Sequence, residues 1–206
     1  MKLGLYPKID FGELCLILLA WSFLNFRWMD HVAYFGGSYA VISLVISTWI
    51  IYWLKKIKKD PYPLFFLEKE HFLSVMVWVA VAALLIPLGY SLNMFTFSFS
   101  WHRILLSPLV FIGIVLTIGA VEELVFRQVL LVFVEQRFNI PVGIAISSIL
   151  FGFSHIVRGS FPNWPYILVA SLAGLIYGVV FWRYGLSYAI ILHSLVDVFK
   201  YLFLAR

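Results

Sequence analysis

Apolar residues in this chain do not alternate; they run in blocks. Seven stretches, 11–29, 32–54, 72–92, 104–136, 140–156, 164–182 and 186–204, are dominated by Leu, Ile, Val, Phe and Ala. Polar residues collect between them, as in KKIKKD (Lys55 to Asp60) and RFNIP (Arg137 to Pro141). A membrane-crossing helix needs about 20 apolar residues, and uninterrupted runs of that kind predict helices rather than the alternating strands of a barrel. The pattern therefore predicts an all-α, polytopic integral membrane bundle of about seven transmembrane helices. The fourth stretch is too long for one upright crossing. It reads either as one long tilted helix or as a short re-entrant piece followed by a span. Ser107-Pro108 would suit an N-cap and first helical position at such a break. No repeat, low-complexity tract or linker interrupts the chain, so 1–206 reads as a single membrane-embedded domain.

Composition removes the main competitor. The chain is 63% hydrophobic and 12% charged, with a mean hydropathy of +0.98. Soluble domains carry about 25% charged residues, and a soluble core of this size cannot hide so many apolar side chains. The net charge of +5 reads as topology. By the positive-inside rule the Lys55–Lys59 run places its loop in the cytoplasm, together with Lys2, Lys8, Arg137 and Arg183. Arg27, Arg103, Arg158 and Arg206 then fall outside. The N-terminus is expected in the cytoplasm and the chain in the cell membrane. A basic run beside a span is ordinary topology signalling and implies no nucleic-acid partner. The first stretch lacks a small-residue cleavage site and does not read as a signal peptide. Cys15 is the only cysteine, which excludes an intrachain disulfide; inside the first span it is expected to pack as a small apolar residue.

Against this background a few ionisable residues stand out, because a charge at bilayer depth is costly and usually has a partner or a function. Glu122, Glu123 and Arg127 lie in the fourth stretch, His155 near the end of the fifth, and His193 and Asp197 in the seventh. Asp10, Glu13 and Lys200 lie near helix ends and read as interfacial, as do His31, His71 and His102 beside loop signals. Glu123 and Arg127 are four residues apart and can pair on one helix face. Glu122 is rotated about 100° from Glu123 and is badly placed for Arg127. One glutamate is thus neutralised locally and the other needs a partner elsewhere, which makes Glu122 a candidate general base. A buried charge network that merely joins helices is the competing reading. His155 alone would usually be a satisfied core residue, and His193 with Asp197 one turn later would usually be an interface pair. Depth links them. From the turn at Asn139-Ile140-Pro141, Glu122 and His155 each lie roughly 20 Å along their helices. His193 and Asp197 lie roughly 10–17 Å beyond Arg183-Tyr184-Gly185-Leu186. Three helices can aim polar groups at one cavity.

Taken together the motifs resemble a known family. EELVFR (Glu122 to Arg127) is similar to the EExxxR motif of the CAAX protease and bacteriocin-processing family, also called the Abi or type II CAAX prenyl endopeptidase family. FGFSH (Phe151 to His155) is similar to its FxxxH motif, and HSLVD (His193 to Asp197) to its HxxxN motif. GLIYGVVFWRYG (Gly174 to Gly185) resembles the small-residue helix and turn between them. The resemblance covers roughly residues 100–204. It implies an intramembrane glutamic protease that cleaves a membrane-associated peptide or protein tail and needs no metal or other cofactor. It further implies Glu122 as the base that activates water with help from His155, Glu123 and Arg127 as supporting residues, and His193 with residue 197 as oxyanion stabilisers. One position departs: Asp197 stands where the family commonly has asparagine. An ionised aspartate cannot donate a hydrogen bond to an oxyanion, so Asp197 must either be protonated or orient His193.

Two other classes stay open on sequence. Glu122, His155 and His193 are an adequate ligand set for a zinc hydrolase, although no HExxH helix is present. Buried Glu, His and Asp also suit a non-catalytic protein, either a peptide-binding immunity protein or a proton-coupled carrier. Trp101, Trp164 and Trp182 fit an interfacial belt, and GSFPNWP (Gly159 to Pro165) reads as an interhelical turn. With His155 nearer the outer face, a tail cleaved towards the outside suits the topology better than a prenylated cytoplasmic one.

Overall fold

The computed structural model describes residues 6–25, 36–60, 67–156 and 162–205. Several residues used above, Lys2, Arg27, His31, Arg158, Gly159–Phe161 and Arg206, lie outside the described residues. The described chain is almost entirely helical. Helix α1 is Phe11–Asn25 and α2 is Gly36–Tyr52, which runs on into a π-helical turn, Trp53–Ile57. Helices α3 (Phe72–Ala83) and α4 (Leu85–Ser91) form one nearly continuous rod. Helices α5 (Trp101–Leu116), α6 (Ile118–Glu123), a π-helical stretch (Leu124–Leu131) and α7 (Val132–Glu135) occupy the long fourth block. Helices α8 (Ile140–Phe153), α9 (Trp164–Tyr184) and α10 (Leu186–Phe203) complete the bundle. A two-stranded antiparallel ribbon, Thr96–Phe97 with Leu204–Ala205, was not foreseen. It joins the segment after α4 to the end of α10.

Local chemistry explains the helix starts. Asp10 and Glu13 form a reciprocal capping box: Glu13 N–H donates to Asp10 Oδ1 at 2.8 Å and Asp10 N–H to Glu13 Oε2 at 2.9 Å. Helices α8 and α9 both begin Asn-x-Pro. Asn139 accepts from Val142 N–H at 3.0 Å and Asn163 from Tyr166 N–H at 3.1 Å, while Pro141 and Pro165 need no partner in the first turn. Gly185, at φ 98°, turns the chain sharply between α9 and α10.

One prediction needs correcting. Ser107-Pro108 does not start a helix. Pro108 lies inside α5, and Ser107 Oγ donates at 2.8 Å to the Ile104 carbonyl, the acceptor that an N–H at position 108 would have used. The break comes at Thr117, whose hydroxyl donates to the Gly113 carbonyl at 2.6 Å and whose backbone (φ −118°, ψ −91°) leaves the helical region. Helix length alone does not support the expected count of about seven spans. Among the described residues four helical runs are long and apolar enough to cross a membrane: Lys69–Ser91, Trp101–Glu135, Trp164–Tyr184 and Leu186–Phe203. Helix α8 has 14 residues, about 21 Å, because the chain turns off at Ser154–Ile156.

The Thr117 break divides the long block by environment. No residue of α5 is buried, and Leu105, Leu109, Ile112 and Leu116 expose a continuous apolar stripe. Every residue from Gly119 to Val132 is buried. An exposed stripe of this kind suits lipid, not water. With the four long apolar helices it makes this a helical membrane protein. Cys15 likewise faces outward from α1 instead of packing inside. Helices α8 and α9 pack most closely, with Gly174 of α9 against the Ser148 backbone and Phe151 of α8, and Gly178 against Ile144.

Candidate active site

The π-helical stretch follows directly after Glu122 and Glu123 and contains Arg127. Such widened turns recur at functional sites. Glu123 and Arg127 are both fully buried, and Arg127 Nε donates to Glu123 Oε2 at 3.0 Å. Arg127 also reaches across to α8. Its Nη1 donates to Ser147 Oγ at 3.4 Å, and its guanidinium lies over the Phe151 ring at 5.1 Å. The pair thus clamps the glutamate helix to the helix that carries His155.

Glu122 points the other way, into a cavity of about 80 Å³. That volume holds several waters, since about 10–15 Å³ suffices for one. Its polar lining consists of Glu122, His155, Tyr166, Tyr177, His193, Asp197 and Lys200. Glu123 and Arg127 stand behind it. The opposite wall is apolar, with Ala82, Leu85 and Ile86 from α3 and α4 and Met94 and Phe95 from the segment before the ribbon.

His193 is the junction. Its Nδ1 donates to Glu123 Oε1 at 2.8 Å, which leaves Nε2 facing the cavity. Nε2 lies 3.6 Å from Glu122 Oε2 and 3.6 Å from Asp197 Oδ2. Tyr177 stacks on the imidazole with ring centroids 4.8 Å apart and planes at 15°. On α8, His155 Nδ1 lies 2.8 Å from the Phe151 carbonyl. A carbonyl only accepts, so Nδ1 carries the proton and Nε2 is the basic nitrogen of the neutral ring. Tyr166 stacks on that ring at 5.5 Å and 18°. Phe151 meets both imidazoles edge-on, at 4.9 Å from His155 and 5.8 Å from His193.

The structure therefore brings Glu122, His155, His193 and Asp197 to one cavity and places Glu123 and Arg127 beside it. Sequence reasoning missed three lining residues. Lys200, read as interfacial, forms an ion pair with Asp197 three residues earlier, and i, i+3 spacing was the available signal. Tyr166 and Tyr177 offered only a hydroxyl within an apolar run. Among the described residues no group of three or more His, Cys, Asp or Glu is arranged to hold a metal ion.

This arrangement can position a water between a carboxylate and an imidazole in a largely apolar setting. Comparison with known proteins bears on what it serves. No curated protein and no solved structure matches the chain. Residues 104–199, which contain all six predicted site residues, match the family described as type II CAAX prenyl endopeptidase Rce1-like. This motif-bearing stretch, a little under half of the chain, is similar to that family.

Proposed function

We propose that the protein is an intramembrane endopeptidase that hydrolyses a peptide bond in a membrane-associated peptide or protein tail. The observation that carries this reading is the convergence of Glu122, His155, His193 and Asp197 on one cavity large enough for several waters. In the proposed reaction a water lies between Glu122 and His155. Glu122 accepts its proton, and the hydroxide attacks the scissile carbonyl carbon to give a tetrahedral oxyanion. Collapse breaks the C–N bond, and the leaving amine takes the proton from Glu122. Glu123 and Arg127 hold the glutamate helix and α8 in register. Asp197, salt-bridged to Lys200 and 3.6 Å from His193 Nε2, is an anion that orients His193.

The wider reading is that 1–206 is one domain in the cell membrane, N-terminus in the cytoplasm. The shorter apolar helices α1, α2 and α8 complete seven crossings under this reading. The apolar wall formed by α3, α4, Met94 and Phe95 suits a substrate segment presented from the bilayer.

The test is cleavage of a panel of membrane-anchored peptides by purified protein, with Glu122→Gln and excess chelator in parallel. Cleavage lost in Glu122→Gln and unaffected by chelator is expected. Cleavage that survives Glu122→Gln would refute the assignment of the base, and loss on chelation would indicate a zinc hydrolase. Peptide binding without turnover would favour the immunity-type alternative.

A further inference from the structure

Hydrolysis through a tetrahedral intermediate needs an N–H or O–H donor where the oxyanion forms. An ionised Asp197 only accepts, and an anion facing a developing oxyanion opposes it. Residue 197 therefore cannot act as a donor in this chain while it is charged. One turn further on, Lys200 lines the same cavity and forms an ion pair with Asp197 Oδ1. The lysine side chain is 40% exposed and the aspartate 16%, so the lysine is the more accessible partner of the pair. An ammonium has three N–H donors and can engage more than one acceptor at once.

We infer that Lys200 donates the hydrogen bond to the oxyanion, and that Asp197 positions it while neutralising its charge. The Asp197–Lys200 pair then does together what a single neutral amide at position 197 would do alone. The aspartate accepts from the lysine, and the lysine donates to the intermediate. This inference rests on the peptidase reading, and it makes a specific demand on paired substitutions. Lys200→Met leaves a bare carboxylate beside the oxyanion. Adding Asp197→Asn to that variant removes the anion and restores an amide donor.

The experiment has two readouts. The first is kinetics on peptides from the membrane-anchored panel. Lys200→Met is expected to lower kcat by about 10²–10³ with little change in KM, the cost of losing one oxyanion donor. Lys200→Arg is expected to retain activity, and Asp197→Asn/Lys200→Met to recover at least tenfold over Lys200→Met. Wild-type kcat in Lys200→Met, or a double variant as inactive as the single, would overturn the inference. The second readout needs no turnover: binding of phosphinate analogues of the same peptides, in which a tetrahedral anion replaces the scissile amide. Binding by wild type that weakens at least tenfold in Lys200→Met supports Lys200 as the donor even if no panel peptide is cleaved, a result that would count against the peptidase reading alone. Equal binding by both, or none by wild type, would overturn it.

Discussion

Removing Arg127 alone should damage the protein more than removing Arg127 and the charge of Glu123 together. Both side chains are completely buried and joined at 3.0 Å. Truncating one member of a buried ion pair strands the other in low dielectric, at a cost of about 3–5 kcal/mol. Arg127→Met also removes the guanidinium over the Phe151 ring, worth about 0.5–2 kcal/mol. One contact moderates the loss, because His193 Nδ1 still donates to Glu123 Oε1 at 2.8 Å. The expected destabilisation is therefore near the lower end, about 3 kcal/mol. Glu123→Gln/Arg127→Met leaves no stranded ion, and neutral replacement of a buried pair is often close to isoenergetic, so the double variant should fall within about 1.5 kcal/mol of wild type. Equilibrium unfolding in dodecyl maltoside micelles with increasing dodecyl sulfate, followed by the fluorescence of the eight tryptophans, reads these differences. A single variant within about 1 kcal/mol of wild type, or a double variant no better than the single, would refute the clamp, because the coupling between contacting residues should be at least 0.5 kcal/mol and of rescuing sign.

Two further outcomes follow from the packing. A Cβ at Gly152 would lie 2.6 Å from the Ile167 carbonyl oxygen and would meet the Ser171 hydroxyl, so Gly152→Ala should push α8 from α9, cost about 1–3 kcal/mol and slow any cleavage by moving Phe151 and His155. Gly113→Ala, where nothing lies within 4 Å, is the control and should be neutral or slightly stabilising in the same unfolding assay. The Tyr188 hydroxyl accepts from Glu68 N–H at 2.5 Å and donates to the Glu68 carbonyl at 2.6 Å, fastening the lead-in of α3 to α10. Tyr188→Phe should cost about 1 kcal/mol and speed amide exchange around Glu68; unchanged exchange would show that this fastening does not hold the segment.

The helices were legible because apolar runs bounded by Asp10, Asn139-Ile140-Pro141 and Asn163-Trp164-Pro165 carry both burial and start signals in adjacent residues. The break inside the fourth run was not legible, and the reason is specific. Proline is the usual breaker, yet the Ser107 hydroxyl occupies the carbonyl that Pro108 abandons and the helix continues. Thr117 breaks it instead, with a hydroxyl that competes for the Gly113 carbonyl. Which of two side-chain-to-backbone bonds bends a helix depends on what packs beside it. At Gly119, two residues beyond the break, a Cβ would run into Ser194 of α10. That proximity belongs to residues 75 positions apart and has no local trace.

The same distinction governs the site. The division of labour between Glu122 and Glu123 could be read from one helix, because their offset of about 100° sends one to the cavity and the other to Arg127. The partnership of His193 with both glutamates could not. It depends on an imidazole from α10 presenting two nitrogens to two faces of the α6 terminus. Lys200 shows the limit most clearly. Its position near the end of an apolar run suggested the membrane interface, and depth along the helix is a fair guide to cost in a bilayer. Yet its environment is set across the bundle, where Glu122 and His155 share the cavity that Lys200 lines. A charge near a helix end can be interfacial and still face the reacting groups, because in a bundle this small the cavity reaches the helix end. The Asp197–Lys200 spacing records this in sequence: two opposite charges one turn apart in an otherwise apolar helix have little reason to coexist unless a polar cavity accepts them both.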